Sequence, residues 1–167
     1  MDKERGTDPT YEFSRNNLAW FWSWRSALRS IVKSGEITLF TLDDVLPKYK
    51  IGWHEINDLV RECVSYAEVY GKFHLLNFHI FWNMPKSLRE PIPESHRIGR
   101  GTGGEGGLAM VLSREGAQLL LDRGRIDAYH YPDSICADLV VDGVVDGIWH
   151  SSHCQFAHID WDGDREI

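Results

Sequence analysis

The chain of 167 residues has little cysteine, no long apolar run and fewer positive than negative charges. Its three cysteines, Cys63, Cys136 and Cys154, are an odd number without tight spacing. No disulfide framework is therefore indicated, and a reducing compartment is favoured. No stretch approaches the ~20 apolar residues that a membrane-spanning helix needs, and the charged amino terminus lacks the apolar region of a secretory signal. We expect a cytoplasmic protein without a membrane span.

The charge balance also limits the partners. Eighteen Lys and Arg oppose 25 Asp and Glu, which gives a formal net charge of −7. Such a chain gains no general affinity for nucleic acid from phosphate neutralisation, so nucleic acid is disfavoured as a partner except as a reaction's acceptor. Apolar residues make up 43% of the chain and aromatic residues 12%, which is enough to bury a core and argues against disorder as the main state.

Apolar periodicity predicts one domain, 1–167, in which helices and strands alternate. Helices are expected over 14–34, 53–70, 113–123 and 133–140, and strands over 36–42, 73–81, 108–112 and 144–150. Residues 1–13 are expected to be a disordered tail, and residues 83–107 a long glycine-rich loop. This order predicts an α/β sandwich with a mixed sheet.

The first candidate for chemistry is the acidic pair at the end of the first predicted strand. Asp43 and Asp44 follow that strand directly, and ligands of open α/β sheets bind beyond the carboxyl ends of strands. Paired carboxylates supply the hard oxygen ligands that a divalent cation prefers. The alternative is a simple turn or a helix cap.

The glycine cluster at 99–107 is the second candidate, because glycine lets the backbone approach a ligand closely. A G-x-G-x-x-G match occurs at Gly99, Gly101 and Gly104, but it precedes a predicted strand, whereas the dinucleotide-binding motif follows one. The chain has no Gly-Lys-Ser/Thr sequence, which excludes a P-loop. A merely flexible loop is the alternative.

Two further candidates lie in the last third of the chain. Asp133 follows Pro132, where it is either a helix N-cap or a catalytic carboxylate. His150 stands at the end of the last predicted strand, close in sequence to His153, Cys154 and His158. Their spacing matches no familiar zinc module, so His150 is of most interest as a single metal ligand.

Several segments occur in an order that is known from one enzyme class. They are Ser34-Gly35-Glu36, Leu42-Asp43-Asp44-Val45, Gly101-Thr102-Gly103, Ser113-Arg114-Glu115-Gly116-Ala117-Gln118-Leu119-Leu120 and Pro132-Asp133. Together they resemble the catalytic core of GT-A glycosyltransferases, in particular the lipopolysaccharide and procollagen galactosyltransferases. The fringe-like galactosyltransferases have a related pattern, which is matched by Gly103-Gly104-Glu105-Gly106, Leu112-Ser113-Arg114, Pro132-Asp133-Ser134 and Trp149-His150-Ser151. The resemblance extends over residues 17–152.

This resemblance implies a transferase that moves a sugar from a nucleotide-sugar to a hydroxyl acceptor with the help of Mn²⁺ or Mg²⁺. It implies metal ligation by Asp43 and Asp44, with His150 as a further ligand, and Asp133 as the catalytic base. Donor and acceptor contacts are implied for Gly101, Thr102, Gly103, Gly104, Glu105 and Gly106.

The sequence departs from the family pattern in two places. Leu42 occupies the position of the family's first carboxylate. The residues before Asp43 have the pattern of a tail and one helix, so the family's nucleotide-binding unit is expected to be reduced or missing. Two other functions stay open: a non-catalytic binding or assembly protein on the same scaffold, and a metal-dependent hydrolase that uses Asp43, Asp44 and the tail histidines. A homo-oligomer also stays open.

Overall fold

Helices and strands alternate along the chain in the computed structural model, which describes residues 15–41, 45–47, 52–70, 73–78, 89–101, 109–123, 136, 139–140, 142–150 and 156–158. The helices are α1 (Arg15–Ser34), α2 (Trp53–Tyr70) and α3 (Arg114–Arg123). The strands are β1 (Thr38–Thr41), β2 (Val45–Pro47), β3 (Leu75–Asn77), β4 (Arg89–Pro91), β5 (Ile98–Gly101), β6 (Ala109–Leu112), β7 (Gly147–His150) and β8 (Phe156–His158). The predicted mixed α/β class is confirmed.

The ends of two helices follow the capping rules that the sequence suggested. α1 stops at Gly35, whose φ of +74° is a left-handed conformation that glycine adopts without the steric cost of a side chain. Its amide donates a 2.9 Å hydrogen bond to the Ile31 carbonyl. At the start of α3, the Ser113 hydroxyl accepts a 3.0 Å hydrogen bond from the Gly116 amide, as expected for an N-cap.

The predicted loop over 83–107 contains two short strands, 89–91 and 98–101, that the sequence did not predict. Here β4 and β5 form an antiparallel pair, with Arg89 opposite Gly101 and Pro91 opposite Gly99. A proline is compatible with this pairing because β4 is the edge strand of its sheet. The short strand β8 in the tail was not predicted either; it pairs with β2.

The main sheet has six strands in the order β1-β6-β3-β7-β5-β4. β6 lies antiparallel between β1 and β3, so these two strands run in the same direction. β7 is parallel to β3, and β5 is antiparallel to β7. The carboxyl ends of β1, β3 and β7 therefore lie together along the border of the sheet that runs across the strands. We call this border the carboxyl edge. The opposite edge is the amino edge.

The sheet separates two apolar cores, because successive side chains of a strand face opposite sides. On one side, α1 and α3 pack against alternate residues of β3 and β6, including Leu75, Met110 and Leu112. On the other side, α2 packs against Leu76 and Val111 among others. Strands that are buried on both faces have continuous apolar sequences, which explains why the Leu-Ala-Met-Val-Leu run predicted a strand without alternation.

The start of α3 packs tightly against the residue that precedes β3. A Cβ atom added at Gly116 would lie 2.2 Å from the His74 carbonyl oxygen. We therefore expect Gly116→Ala to lower the free energy of unfolding by about 1–3 kcal/mol, the usual cost of overpacking a core. Gly52→Ala is the control, since a Cβ there meets only an ordinary contact at 3.9 Å. Urea denaturation of both variants tests this, and equal stabilities would contradict it.

Candidate functional site

The carboxyl edge is defined by one row of backbone positions across five strands. Thr41 pairs with Ala109, and the Phe78 amide donates a 3.0 Å hydrogen bond to the Ala109 carbonyl. On β7 and β5, His150 is in register with Ile98. Since Asn77 pairs with Trp149, the next residues along β3 and β7 belong to the same row. The ends of these strands thus form the carboxyl edge, where the predicted site would lie.

The acidic pair is linked to this edge on both sides. Asp43 and Asp44 themselves lie outside the described residues, but Thr41 before them ends β1 and Val45 after them begins β2. Val45 is also in register with His158 of β8. The acidic pair is therefore joined to the carboxyl edge at one end and to the β2–β8 ribbon at the other.

His150 is the last residue of β7, at the same edge. Three neighbouring strand spacings separate β1 from β7, which corresponds to about 14 Å along the row. The backbone thus brings His150 and the end of β1 to one edge without making their strands adjacent. The predicted base, Asp133, lies outside the described residues.

The glycine segment begins and ends at opposite edges of the sheet. Gly101, the last residue of β5, pairs with Gly147 at the amino edge. Ala109, the first residue of β6, pairs with Thr41 at the carboxyl edge. Between them, Thr102, Gly103, Gly104, Glu105 and Gly106 lie outside the described residues. Gly101 is therefore separated from the row that contains His150, whereas the residues that precede Ala109 in sequence lead to that row.

A polar cluster that the sequence did not reveal lies at the carboxyl edge. Glu62 of α2 accepts hydrogen bonds from Ser95 and from Arg97, the latter through Nε at 2.9 Å and Nη2 at 2.5 Å. The Ser95 hydroxyl in turn accepts from the backbone amides of Arg97 and Ile98, at 3.1 and 3.0 Å. These partners are more than 30 positions apart in sequence, and Arg97 falls within the predicted loop, so no local pattern could have identified them.

A cleft of about 430 Å³ lies at the other edge of the sheet. Its walls combine apolar side chains with the polar start of α3, and its lining consists of Gly35, Ile37, Val64, Ala67, Phe73, His74, Ser113, Arg114 and Glu115. The Nδ1 of His74 accepts a 2.6 Å hydrogen bond from the Asp146 amide, and the Asp146 carboxylate pairs with Arg100 at 2.8 Å. The two predicted site residues that the structure describes, Gly101 and His150, do not line this cleft.

The buried thiol of Cys63 is a candidate nucleophile that the environment makes unreactive. Burial raises the pKa of the Cys63 thiol to about 12, with a smaller contribution from the nearby Glu62 carboxylate, so Cys63 is neutral at physiological pH and unsuited to act as a nucleophile. Within the described ranges, no three His, Cys, Asp or Glu side chains gather as a metal-binding group. In that same part of the chain, no helix is long and apolar enough to cross a membrane.

Comparisons with known protein families, with curated proteins and with solved structures give no match for this chain.

The Glu62 cluster holds the β4–β5 hairpin against α2, so we expect it to contribute to the free energy of unfolding. Glu62→Gln should lower the free energy of unfolding by about 1 kcal/mol, because a hydrogen bond to a charged partner is weakened in a setting that solvent only partly screens. Asp58→Asn removes an exposed ion pair with Arg61 on the same helix and should cost at most about 0.5 kcal/mol. Urea denaturation compares the two variants, and an Asp58→Asn cost equal to that of Glu62→Gln would contradict the prediction.

Proposed function

We propose that this protein is a metal-assisted glycosyltransferase that transfers a sugar from a nucleotide-sugar to a hydroxyl acceptor at the carboxyl edge. The observation that carries the proposal is the arrangement of strand ends. β1 leads directly to Asp43 and Asp44, β7 ends at His150, and β6 begins where the glycine segment finishes. The strand that precedes Asp43 and Asp44 and the strand that ends at His150, more than 100 positions later in sequence, thus end at the same edge of one sheet.

The donor set at this edge fits a divalent cation. Asp43 and Asp44 carry the oxygen ligands that Mn²⁺ and Mg²⁺ prefer, and an imidazole such as that of His150 is accepted by Mn²⁺. A cation bound there would offset the negative charge of the departing diphosphate. Only three residues, among them Asp43 and Asp44, connect Thr41 at the end of β1 to Val45 at the start of β2.

The other catalytic contributions are assigned to groups of the chain itself. Asp133 would accept the proton of the acceptor hydroxyl, for which it must come within about 3 Å of that oxygen in the bound complex. The glycine segment would close over donor and acceptor, because backbone without side chains can approach a ligand closely. Nearby, Cys136, Leu139 and Val140 are buried in the core shared by α1 and α3, which gives the chain after Asp133 a fixed anchor.

The first test concerns Asp44, a proposed metal ligand. Asp44→Asn should weaken Mn²⁺ binding by at least about tenfold, because mutation of a group that only hydrogen-bonds to a metal ligand already lowers metal affinity by that factor. The melting temperature should remain unchanged because the residue follows a strand end. Asp142→Asn, in the exposed turn before β7, is the matched control. Isothermal calorimetry gives both affinities, and an Mn²⁺ affinity of Asp44→Asn equal to that of the wild type would remove Asp44 from the site.

Donor binding separates the transferase from a non-catalytic scaffold. A transferase should show an Mn²⁺-dependent rise in melting temperature with at least one UDP-sugar, because a ligand that binds the folded state alone stabilises it. The Asp44→Asn variant should lose this rise and the Asp142→Asn variant should keep it. If none of a panel of nucleotide-sugars changes the wild-type melting temperature, the binding or assembly function is favoured.

Asp133 distinguishes a catalytic base from a helix cap. Asp133→Asn should lower turnover by about 10²–10⁴-fold, the usual contribution of a general base, while donor binding persists. A pure N-cap predicts a different result, because Asn caps a helix nearly as well as Asp. The two measurements are turnover and melting temperature. Near-normal turnover in a folded Asp133→Asn protein would return this residue to a structural role.

A further inference from the structure

Arg97 is a half-exposed cation that its neighbours hold in one orientation. Its Nε and Nη2 both donate to the same Glu62 oxygen, Oε2, at 2.9 and 2.5 Å. Glu62 is itself held by the Ser95 hydroxyl. The Arg97 side chain nevertheless keeps 43% of its surface exposed, against 24% for Glu62. Within the described part of the chain, its Nη1 donates no hydrogen bond, so one side of the guanidinium group is fixed and the other faces outward.

The backbone places this cation at the candidate site. Ile98 is in register with His150 at the carboxyl edge, and β5 runs antiparallel to β7, so the preceding residue, Arg97, lies just beyond that edge. A guanidinium group whose orientation is already fixed loses little entropy when it binds a second oxyanion. Its planar N–H groups match the oxygens of a phosphate or a carboxylate.

We infer that Arg97 binds an anionic group of the acceptor, with Glu62 as its positioning residue. This inference rests on the proposed function and adds to it the chemical class of the acceptor: a hydroxyl compound that also carries a phosphate or a carboxylate. Four strand spacings, or about 19 Å, separate β5 from β1 along the row. Arg97 therefore lies at the opposite end of the row from the strand that precedes Asp43 and Asp44 in sequence, and the anion that it binds belongs to the acceptor rather than to the donor diphosphate.

The same strand supplies a matched control. Arg100 also lies on β5, is also paired with a carboxylate, Asp146, and has 46% of its side chain exposed. Arg100 differs from Arg97 in its position along β5, because it lies next to Gly101, which pairs with Gly147 at the amino edge. A general effect of removing a surface charge from this acidic chain would appear equally in Arg97→Gln and Arg100→Gln. A site at the carboxyl edge would be affected by Arg97→Gln alone.

The experiment titrates the full chain with inorganic phosphate and, separately, with acetate. NMR follows the guanidinium Nε signals of the arginines in the wild type, and the backbone amide signals of Ile98 and its neighbours give the anion affinity of every variant. We expect a saturable shift of the Arg97 signal with at least one anion, and the anion that binds tells a phosphate-bearing from a carboxylate-bearing acceptor. Arg97→Gln should weaken that binding at least about tenfold, as expected for a charge-assisted hydrogen bond. Arg97→Lys keeps the charge without the planar guanidinium group, so its anion affinity should lie between those of the wild type and Arg97→Gln. Arg100→Gln should retain the wild-type affinity.

The opposite results overturn the inference. It fails if the Arg97 signal responds to neither anion in the wild type, or if Arg97→Gln binds phosphate and acetate as Arg100→Gln does. Backbone amide spectra of each variant confirm that its fold is intact. Failure of the proposed function is separate: if no nucleotide-sugar changes the wild-type melting temperature while Arg97→Gln loses the anion, the glycosyltransferase proposal fails and the anion site stands.

Discussion

The rest of the structure depends on the burial of β3 and β6 on both faces. Leu75 and Leu76 are neighbours on one strand, face opposite cores and are each at most 1% exposed. Because these strands must be covered on two sides, the helices divide into α1 and α3 on one side and α2 on the other. Their pairing also fixes the direction of β1 and β7 on either side, and hence the edge at which both of these strands end.

The two edges of the sheet differ in what holds them. At the amino edge, the His74 carbonyl accepts hydrogen bonds from the Ser113 amide and hydroxyl, at 3.0 and 3.3 Å, and Gly116 packs against it. Arg100, Asp146 and His74 tie β5, β7 and β3 together there. At the carboxyl edge, Glu62 and Arg97 join α2 to the start of β5. In open α/β sheets, ligands usually bind beyond the carboxyl ends of the strands.

Sequence patterns predicted the parts of the fold that local physics controls. The bounds of α2 and α3 and the stop of α1 at Gly35 follow from apolar periodicity and capping, which act over a few residues. The β4–β5 hairpin was missed because Pro91 and the glycines on either side of 100 resemble a loop, and only pairing with β7 makes them strands. The same limit applies to the site. Residue type and position in the sequence suggested three candidate metal ligands, Asp43, Asp44 and His150. The Glu62–Arg97 contact instead depends on two segments that meet only in the folded chain.

Paramagnetic Mn²⁺ gives the most direct test of where the chemistry lies, because it broadens the NMR signals of nearby amides whatever the substrate is. Bound at the proposed site, it should broaden the amides of Thr41 and Val45 first and then those across the carboxyl-edge row at Ala109 and Phe78. The amides of His74, Ser113 and Gly147 at the amino edge should stay sharp. Broadening centred on the cleft beside His74, or the absence of any localised broadening, would contradict a metal-assisted transferase site at the carboxyl edge.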